Sequence, residues 1–385
     1  MTSIGIIGGG IAGLLIASSL LNKGFNITVY EEHKSIGLPR HCTGLISAKV
    51  LKELEGIARL SFRDIIIGKF NEYHINLIYD VKNVRRVISL RFHDHIYMID
   101  RVMIEKVIAE EINSSGALIN LKTYVDAVHI ANNKKVFVRY LRRVGTHVVS
   151  HDHVIISEGA KRVLVKKLGL CKSVRNLNAL QAIVKTSLRH DLNYVNVLTY
   201  NRNKHFFSWI VPLSEHELLI GLADFKNMKY VYNTLKLLMK LYVGNILRVG
   251  DYKVVKFFSG LIPLDVGECS LGYRNIFVIG DASSLIKPLS GGGLYVIVNQ
   301  VKALTDTFNL STPSVGYYVD KLMELRKTLS MQRTIKKIID ILGGYWRIAN
   351  LAPLKSFKVY IEDYDKLRPM ISYSFLSLLR TLLRS

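Results

Sequence analysis

The stretch that decides the fold is Ile4-Gly-Ile-Ile-Gly-Gly-Gly-Ile-Ala-Gly13, close to the N-terminus. Ile4 to Gly8 has the apolar character of a buried strand, Gly8, Gly10 and Gly13 form a G-x-G-x-x-G pattern, and an apolar helical run follows. In this pattern the first glycine allows a tight turn, the second lets a pyrophosphate approach the backbone, and the third lets the helix pack on the strand. The helix N-terminus adds N–H donors and a positive dipole end. The stretch therefore predicts a dinucleotide-binding, Rossmann-like unit.

A second strand and an acidic residue complete this pattern. Ile27 to Tyr30 is predicted to be the strand, and Glu31 follows it eighteen positions after Gly13. A carboxylate at this place accepts hydrogen bonds from ribose hydroxyls. A glycine-rich packing turn is the alternative for the glycines alone, but the strand, the helix and the acid in register favour the nucleotide site.

A second glycine-rich motif lies near residue 280. Asn275 to Ile279 reads as a buried strand that runs into Gly280-Asp281, and Gly291-Gly292-Gly293 precedes the apolar helical run from Leu294. The Asp281 carboxylate can accept a sugar-alcohol hydroxyl, and the start of the helix directs its positive end at negative charge on a flat ring. A reduced flavin carries such a charge, whereas a nicotinamide dehydrogenase needs no second site of this kind. The pair of motifs favours FAD over NAD.

Composition limits the class of protein. The chain has 385 residues, 49% hydrophobic and 22% charged, which suits one large core or two to three domains. The first 21 residues are uncharged, but they lack a basic leader segment and their glycines would break a membrane-spanning helix. Three cysteines, Cys42, Cys171 and Cys269, are too few and too scattered for a disulfide framework or a zinc site, so a reducing cytoplasm is expected and no metal.

The net charge of +23 bears on partners. Lysine and arginine are spread along the chain without a helix-turn-helix, zinc-finger or RNA-binding motif, so nucleic acid is not expected. Anionic phosphates, lipid headgroups or an acidic redox partner suit the charge equally, and a solvated basic surface without a partner is the plain alternative. The segment 372–384 is predicted to be a helix that either packs on the protein or rests on an anionic membrane.

The order of the predicted elements indicates an α/β (α+β) fold. A discontinuous Rossmann-like FAD-binding domain is predicted from residues 1–60, 98–172 and 265–310, because buried-strand patterns return at 153–157 and 275–279. Residues 61–97 and 173–264 are predicted to form an inserted, mainly antiparallel sheet that binds the substrate. Residues 311–385 are predicted to be a helical C-terminal region.

These motifs resemble the geranylgeranyl reductases, FAD enzymes of the para-hydroxybenzoate hydroxylase fold that saturate isoprenoid double bonds. Besides the two glycine motifs, the segment from Gly37 to Gly44, with Arg40, Cys42 and Thr43, is similar to that family's cysteine-containing loop beside the flavin. Tyr97-Met-Ile-Asp-Arg101 is a further mark, and the likeness runs to about residue 310. The resemblance implies that FAD is bound by Gly8, Gly10, Ala12, Gly13, Glu31, Cys42, Thr43, Gly44, Arg101, Val125, Asp281, Gly292, Gly293 and Leu294.

One strand bears on the substrate. Phe207-Ser-Trp209-Ile-Val-Pro212, followed by Gly221-Leu-Ala223, is similar to the reductase signature Y-x-W-x-F-P…G-x-G with three positions changed. The resemblance implies that Phe207, Trp209 and Pro212 bind a polyprenyl or geranylgeranyl lipid; a core strand rich in aromatics is the alternative. Flavin halogenases carry a similar Trp-x-Trp-x-Ile-Pro motif. Ser157-Glu158-Gly159 departs from the family's Asp-Gly, and there we expect Glu158 to cap the following turn.

The resulting hypothesis is hydride transfer from reduced FAD to one carbon of an isoprenoid C=C bond, with protonation of the other carbon. Cys42 is the candidate for the proton route, with a small buried packing residue as its alternative. A flavin monooxygenase or halogenase and a flavoprotein electron carrier stay open as other functions. The electron donor, NAD(P)H or ferredoxin, is undecided, because no separate nicotinamide motif is visible. We expect a cytoplasmic protein, with peripheral contact to anionic membrane as an open addition.

Overall fold

The computed structural model describes residues 1–40, 42–79, 84–132, 134–143, 145–172, 175–187, 189–203, 205–246, 252–264, 269–350, 357–361 and 364–366. The strands are β1 (Ser3–Ile7), β2 (Asn26–Tyr30), β3 (Leu45–Ser47), β4 (Ile66–Ile78), β5 (Val84–Ile99), β6 (Leu118–Asn120), β7 (Tyr124–Ile130), β8 (Val136–Arg142), β9 (Gly145–His151), β10 (His153–Ile156), β11 (Asn176–Thr186), β12 (Tyr194–Tyr200), β13 (Ser208–Ser214), β14 (Glu217–Asp224), β15 (Tyr252–Pro263), β16 (Gly272–Tyr273), β17 (Ile276–Val278) and β18 (Phe357–Ile361). The helices are α1 (Ile11–Leu21), α2 (Ala48–Ala58), α3 (Arg101–Ser114), α4 (Val163–Lys167), α5 (Met228–Leu238), α6 (Leu294–Thr307), α7 (Val315–Lys321), α8 (Met323–Ile341) and α9 (Gly344–Asn350).

The N-terminal strand lies inside a six-stranded sheet with the order β16-β17-β10-β1-β2-β6. The strands from β17 to β6 run parallel, and β16 pairs antiparallel with β17. β1 and β10 are almost wholly apolar because both faces of a parallel sheet are covered. α1, α2, α3 and α6 contribute to one apolar cluster on this sheet. The Rossmann-like unit is therefore assembled from three separate parts of the chain, as predicted.

A small three-stranded antiparallel sheet, β7-β8-β9, follows in sequence after β6. Val125, Val128, Val136 and Val138 of this sheet share an apolar cluster with β1, β10 and β17. The small sheet thus packs on one face of the central strands of the Rossmann-like sheet and brings Val125 to it.

The third sheet has nine strands, ordered β15-β11-β14-β13-β12-β4-β5-β18, with β3 paired to β5. α5 covers one face, where Leu180, Ile210 and Leu222 pack against it. The other face carries Trp209, Val211 and Leu219 in a separate apolar cluster. The residue-by-residue alternation of a strand produces this division. The prediction of a mainly antiparallel sheet is confirmed, with the correction that β4–β12 and β5–β18 are parallel pairs.

The C-terminal region is helical through α7, α8 and α9, as predicted, but not to its end. Phe357–Ile361 is β18, which pairs in parallel with β5. The helical prediction is wrong there, because Phe-Lys-Val-Tyr-Ile is β-prone and the edge of β5 offers unpaired backbone groups. The predicted helix at 372–384 lies outside the described residues.

Cys171 and Cys269 form a disulfide beside an isolated β-bridge between their two segments. The expectation of no disulfide framework did not anticipate this pair, since a separation of 98 residues along the chain does not prevent contact in the fold. Cys42 is a free thiol. Within the described ranges no helix is both long and apolar enough to span a bilayer. The structure confirms the α/β fold class, while the domain boundaries stay a prediction.

Candidate active site

The turn between β1 and α1 forms an open cradle. Gly8 has φ +107°, and a Cβ atom there would overlap the Ser157 carbonyl, so only glycine fits. Gly10 precedes α1, no side chain caps the helix, and a Cβ atom at Gly10 would meet no atom within 4 Å. A helix start left open in this way is a ready site for a phosphate group.

Gly13 serves packing and does not line the cavity. A Cβ atom there would overlap the Gly8 carbonyl oxygen and lie 2.7 Å from Ser157 Oγ. Ser157 Oγ in turn donates a hydrogen bond to Ile7 O or to Gly8 O, at 2.9 and 3.0 Å. The third glycine of the motif is therefore a close-approach point between α1 and the turn, as the motif predicts.

Glu31 lies at the end of β2 and is 7% exposed. Its Oε2 accepts a hydrogen bond from Gly9 N at 2.6 Å, and its Oε1 accepts one from His33 N at 2.8 Å. His33 Nδ1 also lies 2.5 Å from Oε1. A carboxylate has about four lone-pair directions, so it can hold the turn and still accept a ribose hydroxyl. Glu31 lines the cavity described below, and so does Val125 of β7.

The second glycine motif packs directly on the first. Gly280, with φ +68°, lies so close to α1 that a Cβ atom on it would be 2.8 Å from Ala12 Cβ. Gly280 N donates to Gln300 Oε1 at 2.8 Å, which ties the loop to α6. Asp281 Oδ1 would lie 3.2 Å from a Cβ atom on Gly293, the residue before α6, and no side chain caps that helix. Two segments some 270 positions apart in the chain thus share one site.

Arg101 begins α3 and reaches the same site. Its Nη2 donates to Glu105 Oε1 at 2.5 Å, and its Nε is buried without a hydrogen-bond partner. Burial acts against the charged guanidinium, but the hydrogen bond to Glu105 and the electrostatic interactions with Glu105, Cys42 and Asp281 together outweigh it and raise the pKa of Arg101. A buried cation with an unused donor beside an open helix end fits an anionic oxygen of a dinucleotide.

The loop 37–44 joins the cradle to the nine-stranded sheet. Gly44 has φ +91°, and a Cβ atom there would overlap the Ile99 carbonyl oxygen, which holds the loop against β5. Thr43 Oγ1 donates to Gln181 Oε1 at 2.7 Å, and Trp209 Nε1 donates to the same oxygen at 3.1 Å. Cys42 lies half-buried in this loop, within the electrostatic reach of Arg101.

Glu158 caps the turn after β10, as expected for its departure from the family pattern. Its Oε2 accepts from Val163 N and Leu164 N at 2.8 and 2.9 Å, and its Oε1 accepts from Val165 N at 2.8 Å. The carboxylate thus binds the N-terminus of α4, where negative charge is favoured. Arg162 is fully buried and donates to Ser284 Oγ at 2.9 Å.

A single cavity of about 660 Å³ connects these groups to the sheet. Of the predicted FAD residues, all but Gly13 line it, and of the predicted substrate residues Phe207 and Trp209 line it. Pro212 does not, which corrects that part of the prediction. Strand alternation places position 212 on the same face as Ile210, whose side chain packs against α5.

The wall of the cavity also contains residues that the sequence did not single out. Gln181 is a buried amide on β11. An amide between apolar neighbours in a core strand indicates a polar contact, so the sequence could have identified this residue. Lys287 is buried in the structure, but its place in the second glycine motif gave no indication of this from the sequence. Tyr73, Tyr364 and Asp365 line the cavity from elements that carry no motif.

The arrangement suits a flavin dinucleotide: open helix ends for phosphate, carboxylates for sugar hydroxyls, and a buried arginine with an unused donor. The model of the NAD(P)-binding Rossmann-like domain matches residues 6–41. An uncharacterized protein of Methanocaldococcus jannaschii is 28% identical over 298 residues, 75% of this chain and 70% of that protein. Digeranylgeranylglycerophospholipid reductase 2 of Methanopyrus kandleri is 24% identical over 302 residues, 75% of this chain and 72% of that protein.

Two solved structures have the same fold. A geranylgeranyl bacteriochlorophyll reductase-like protein from Thermoplasma acidophilum superposes with a TM-score of 0.77 at 17% identity, covering 100% of this chain and 99% of its own. A flavin-dependent halogenase superposes with a TM-score of 0.70 at 17% identity, covering 98% of this chain and 71% of its own. The resemblance to the geranylgeranyl reductases that the motifs indicated is confirmed, and the fold is that of these two solved structures.

Proposed function

We propose that this chain is an FAD-dependent reductase that saturates isoprenoid C=C bonds of a geranylgeranyl lipid. The observation that carries the proposal is the continuity of the cavity, which runs from the dinucleotide cradle to an apolar wall of the large sheet. Such a space lets a long apolar chain approach a flavin ring without leaving the protein. The names of the reductase relatives point to the same substrate class.

The apolar wall suits the part of the substrate that has no polar groups, its polyprenyl chain. Its apolar lining comes from β4, β5, β12, α8 and α9 and includes Ile75, Leu90, Val195, Val197, Ile335 and Ile348. A polyprenyl chain offers no hydrogen bonds, so its binding must come from burial of apolar surface, worth roughly 25 cal/mol per Å². This lining would therefore distinguish substrates by the length and shape of their apolar chains.

The residues of the chain have three tasks in this proposal. Arg101 and the open starts of α1 and α6 hold the phosphates and the ring, while Glu31 and Asp281 orient the sugar parts. Phe207 and Trp209 keep water from the reacting carbons. When bound, reduced FAD supplies the hydride. Cys42 lies in the loop beside this place and is the first candidate for the proton route that the motifs suggest.

The decisive experiment uses FAD-loaded protein, reduced chemically under anaerobic conditions and incubated with geranylgeranylated phospholipid. We expect mass spectrometry of the lipid to show the gain of one H₂ for each saturated bond. Protein that holds FAD but returns the lipid unchanged with every polyprenyl lipid tried would instead identify an electron carrier. A Cys42→Ala variant that keeps FAD and full turnover would remove the thiol from the proton route.

A flavin-dependent halogenase or monooxygenase is the second candidate, favoured by the halogenase of the same fold. Such an enzyme requires O₂ together with its substrate, so it is inactive in the anaerobic assay. Consumption of O₂ that depends on an aromatic substrate, with no anaerobic saturation of lipid, would support it and remove the reductase.

The partners of the reaction follow from the same proposal. The electron donor, NAD(P)H or ferredoxin, is found by mixing each with the oxidised holoenzyme and following the flavin absorbance. A cytoplasmic protein that contacts anionic membrane suits the charge of +23. Flotation with neutral and anionic liposomes at low salt tests this contact, and no binding to either removes it.

A further inference from the structure

The apolar wall of the cavity is interrupted by one polar cluster beside the second glycine motif. It consists of Tyr73 on β4, Lys287 before the three glycines, and Tyr364 and Asp365 from the C-terminal segment. All four residues line the cavity. Buried titratable groups that gather at the wall of a cavity often serve its chemistry, so a use in the reaction is the first explanation to test.

Lys287 and Asp365 form a buried ion pair. Lys287 Nζ lies 3.0 Å from Asp365 Oδ1, and the two side chains are only 5% and 4% exposed. Ser47 Oγ donates to Asp365 Oδ2 at 2.6 Å, so the carboxylate is held from two sides. This arrangement fixes the ammonium group in place.

The fixed ammonium group faces both the glycine loop and Tyr364. A Cβ atom on Gly292 would lie 3.3 Å from Lys287 Nζ, so the cation is immediately beside the loop proposed to hold the flavin. Lys287 Nζ also lies 4.7 Å from the centre of the Tyr364 ring. A positive charge at this distance stabilises the phenolate form of that tyrosine.

Tyr364 and Tyr73 share a hydrogen bond, with their hydroxyl oxygens 3.0 Å apart. Burial raises the pKa of Tyr73 well above its usual value, so its hydroxyl stays protonated at neutral pH. Burial raises the pKa of Tyr364 and Asp365 adds to this, while Lys287 and the hydrogen bond with Tyr73 act in the opposite direction without cancelling it. Both hydroxyls therefore carry their protons at neutral pH, and that of Tyr364 is the one with a cation and a second hydroxyl beside it to stabilise its ionised form.

We propose that Tyr364 is the acid that protonates the substrate alkene, with Lys287 and Tyr73 as the positioning residues that stabilise its phenolate. The inference rests on the proposed reductase function and names its proton donor. The alkene π bond breaks, one carbon takes a hydride with its electron pair from the reduced flavin, and the other carbon takes the Tyr364 proton. The Tyr364 O–H bond breaks in this step, and a proton from solvent restores it.

The first test requires no turnover. Holoenzyme labelled with fluorotyrosine is titrated with base, and the ¹⁹F resonance of Tyr364 is assigned by its loss in Tyr364→Phe. Lys287→Met should raise the apparent pKa of Tyr364, and Lys287→Met/Asp365→Asn, which also removes the opposing charge of Asp365, should raise it less. Lys287→Arg, which keeps the positive charge, should leave the apparent pKa of Tyr364 near its wild-type value. An ion pair that only anchors the C-terminal segment predicts no change, and that result overturns the positioning role.

The second test follows a single turnover. Reduced holoenzyme is mixed anaerobically with geranylgeranylated lipid, and flavin reoxidation is recorded in H₂O and in D₂O. We expect Tyr364→Phe to be slower by at least about a hundredfold and to lose the solvent isotope effect, while its affinity for FAD stays within about twofold. Tyr73→Phe should fall between it and the wild type.

The outcomes separate the two proposals. If lipid oxidises the wild-type flavin and Tyr364→Phe reacts at the same rate with the same isotope effect, Tyr364 is not the donor and the reductase function stands. If lipid never oxidises the wild-type flavin, the reductase function fails and the donor assignment fails with it, whatever the titration shows.

Discussion

The cofactor cradle and the apolar wall line the same cavity, but they are built in different ways. The cradle consists of backbone: Gly8, Gly10 and the starts of two helices, at places where a side chain would collide or block access. The wall consists of side chains from β4, β5, β12, α8 and α9. We infer that the cradle tolerates few substitutions, whereas the wall can be altered to change the substrate.

The largest expected effect concerns Gly13, the third glycine of the N-terminal motif, which packs beneath the cradle. Gly13→Ala should lower the free energy of unfolding by about 3 kcal/mol, because the new methyl group overlaps the Gly8 carbonyl and has no rotamer that avoids it. Thermal and urea unfolding of the apoprotein measure this. Gly56→Ala is the matched control, since Gly56 also lies in a helix but has open space, and it should stabilise the protein by about 0.5–1 kcal/mol. Equal Tm values for both variants would contradict a cradle defined by close backbone contact.

The wall gives the next effect. Val197→Trp places a large ring in the cavity opposite Ile75 and should lower kcat/KM for a geranylgeranyl lipid roughly ten- to a hundredfold, which is a loss of about 1.4–2.7 kcal/mol in transition-state stabilisation. The flavin absorbance and the affinity for FAD should not change, because position 197 does not belong to the cradle. Val197→Ala is the control and should widen the range of accepted chains. Loss of FAD in Val197→Trp would show that wall and cradle are not independent.

Gly10→Ala should weaken the binding of FAD with little change in the stability of the apoprotein. The added methyl group meets no protein atom, so the stability of the apoprotein should stay within about 1 kcal/mol. The same methyl group occupies the place where a phosphate approaches α1, and we expect FAD to bind about tenfold more weakly, or about 1.4 kcal/mol. Titration of the apoprotein with FAD, followed by flavin fluorescence, measures it. Unchanged affinity would mean that the phosphates lie elsewhere.

The smallest effect is a loss of stability in acid on the cradle side. His151 packs against Gly5 of β1 and lies 2.8 Å from the Tyr30 hydroxyl, and burial lowers its pKa although Asp152 acts in the opposite direction. The unfolded chain then binds the proton more readily, so stability is complete above about pH 6.5 and falls as the pH drops towards the lowered pKa. The loss is at most about 1.4 kcal/mol for each pH unit that separates the pKa of the folded chain from that of the unfolded chain.

Urea unfolding at pH 7.5 and pH 5 measures this loss. His151→Gln removes the titrating group and should reduce the difference between the two pH values. His153 contributes in the same direction, since burial lowers its pKa as well, so the double variant should show the smallest difference. A variant with the wild-type dependence would assign the acid sensitivity to other groups.

The two regions also differ in how far they could be predicted. Motifs predicted two acids, Glu31 and Asp281, and three glycines, Gly8, Gly10 and Gly293. The glycines could be predicted because a φ near +107° or a helix start without a side-chain cap restricts the residue type at that position. Arg101 and Val125 were expected only through a family resemblance. Tyr73, Lys287, Tyr364 and Asp365 were missed, since buried tyrosines and an ion pair between residues 78 positions apart leave no local pattern.

The errors have the same origin. β18 was predicted as helix because its partner strand, β5, is distant in the chain, and the pairing of Cys171 with Cys269 was not anticipated for the same reason. Pro212 was assigned to the substrate although strand alternation turns that position to the α5 face. Each error concerns a contact between segments, not the conformation of one.

The sequence alone determined the two glycine turns, the acids that follow their strands and the α/β class, because these depend on backbone geometry within a few residues. Only the tertiary structure decided that both turns meet at Ala12 and Gly280, that Phe207 and Trp209 face their cavity while Pro212 does not, and that two tyrosines, a lysine and an aspartate gather at its wall. The physical reason is that such contacts depend on how sheets and helices pack, which is set by the burial of the whole apolar surface and not by any short stretch of chain.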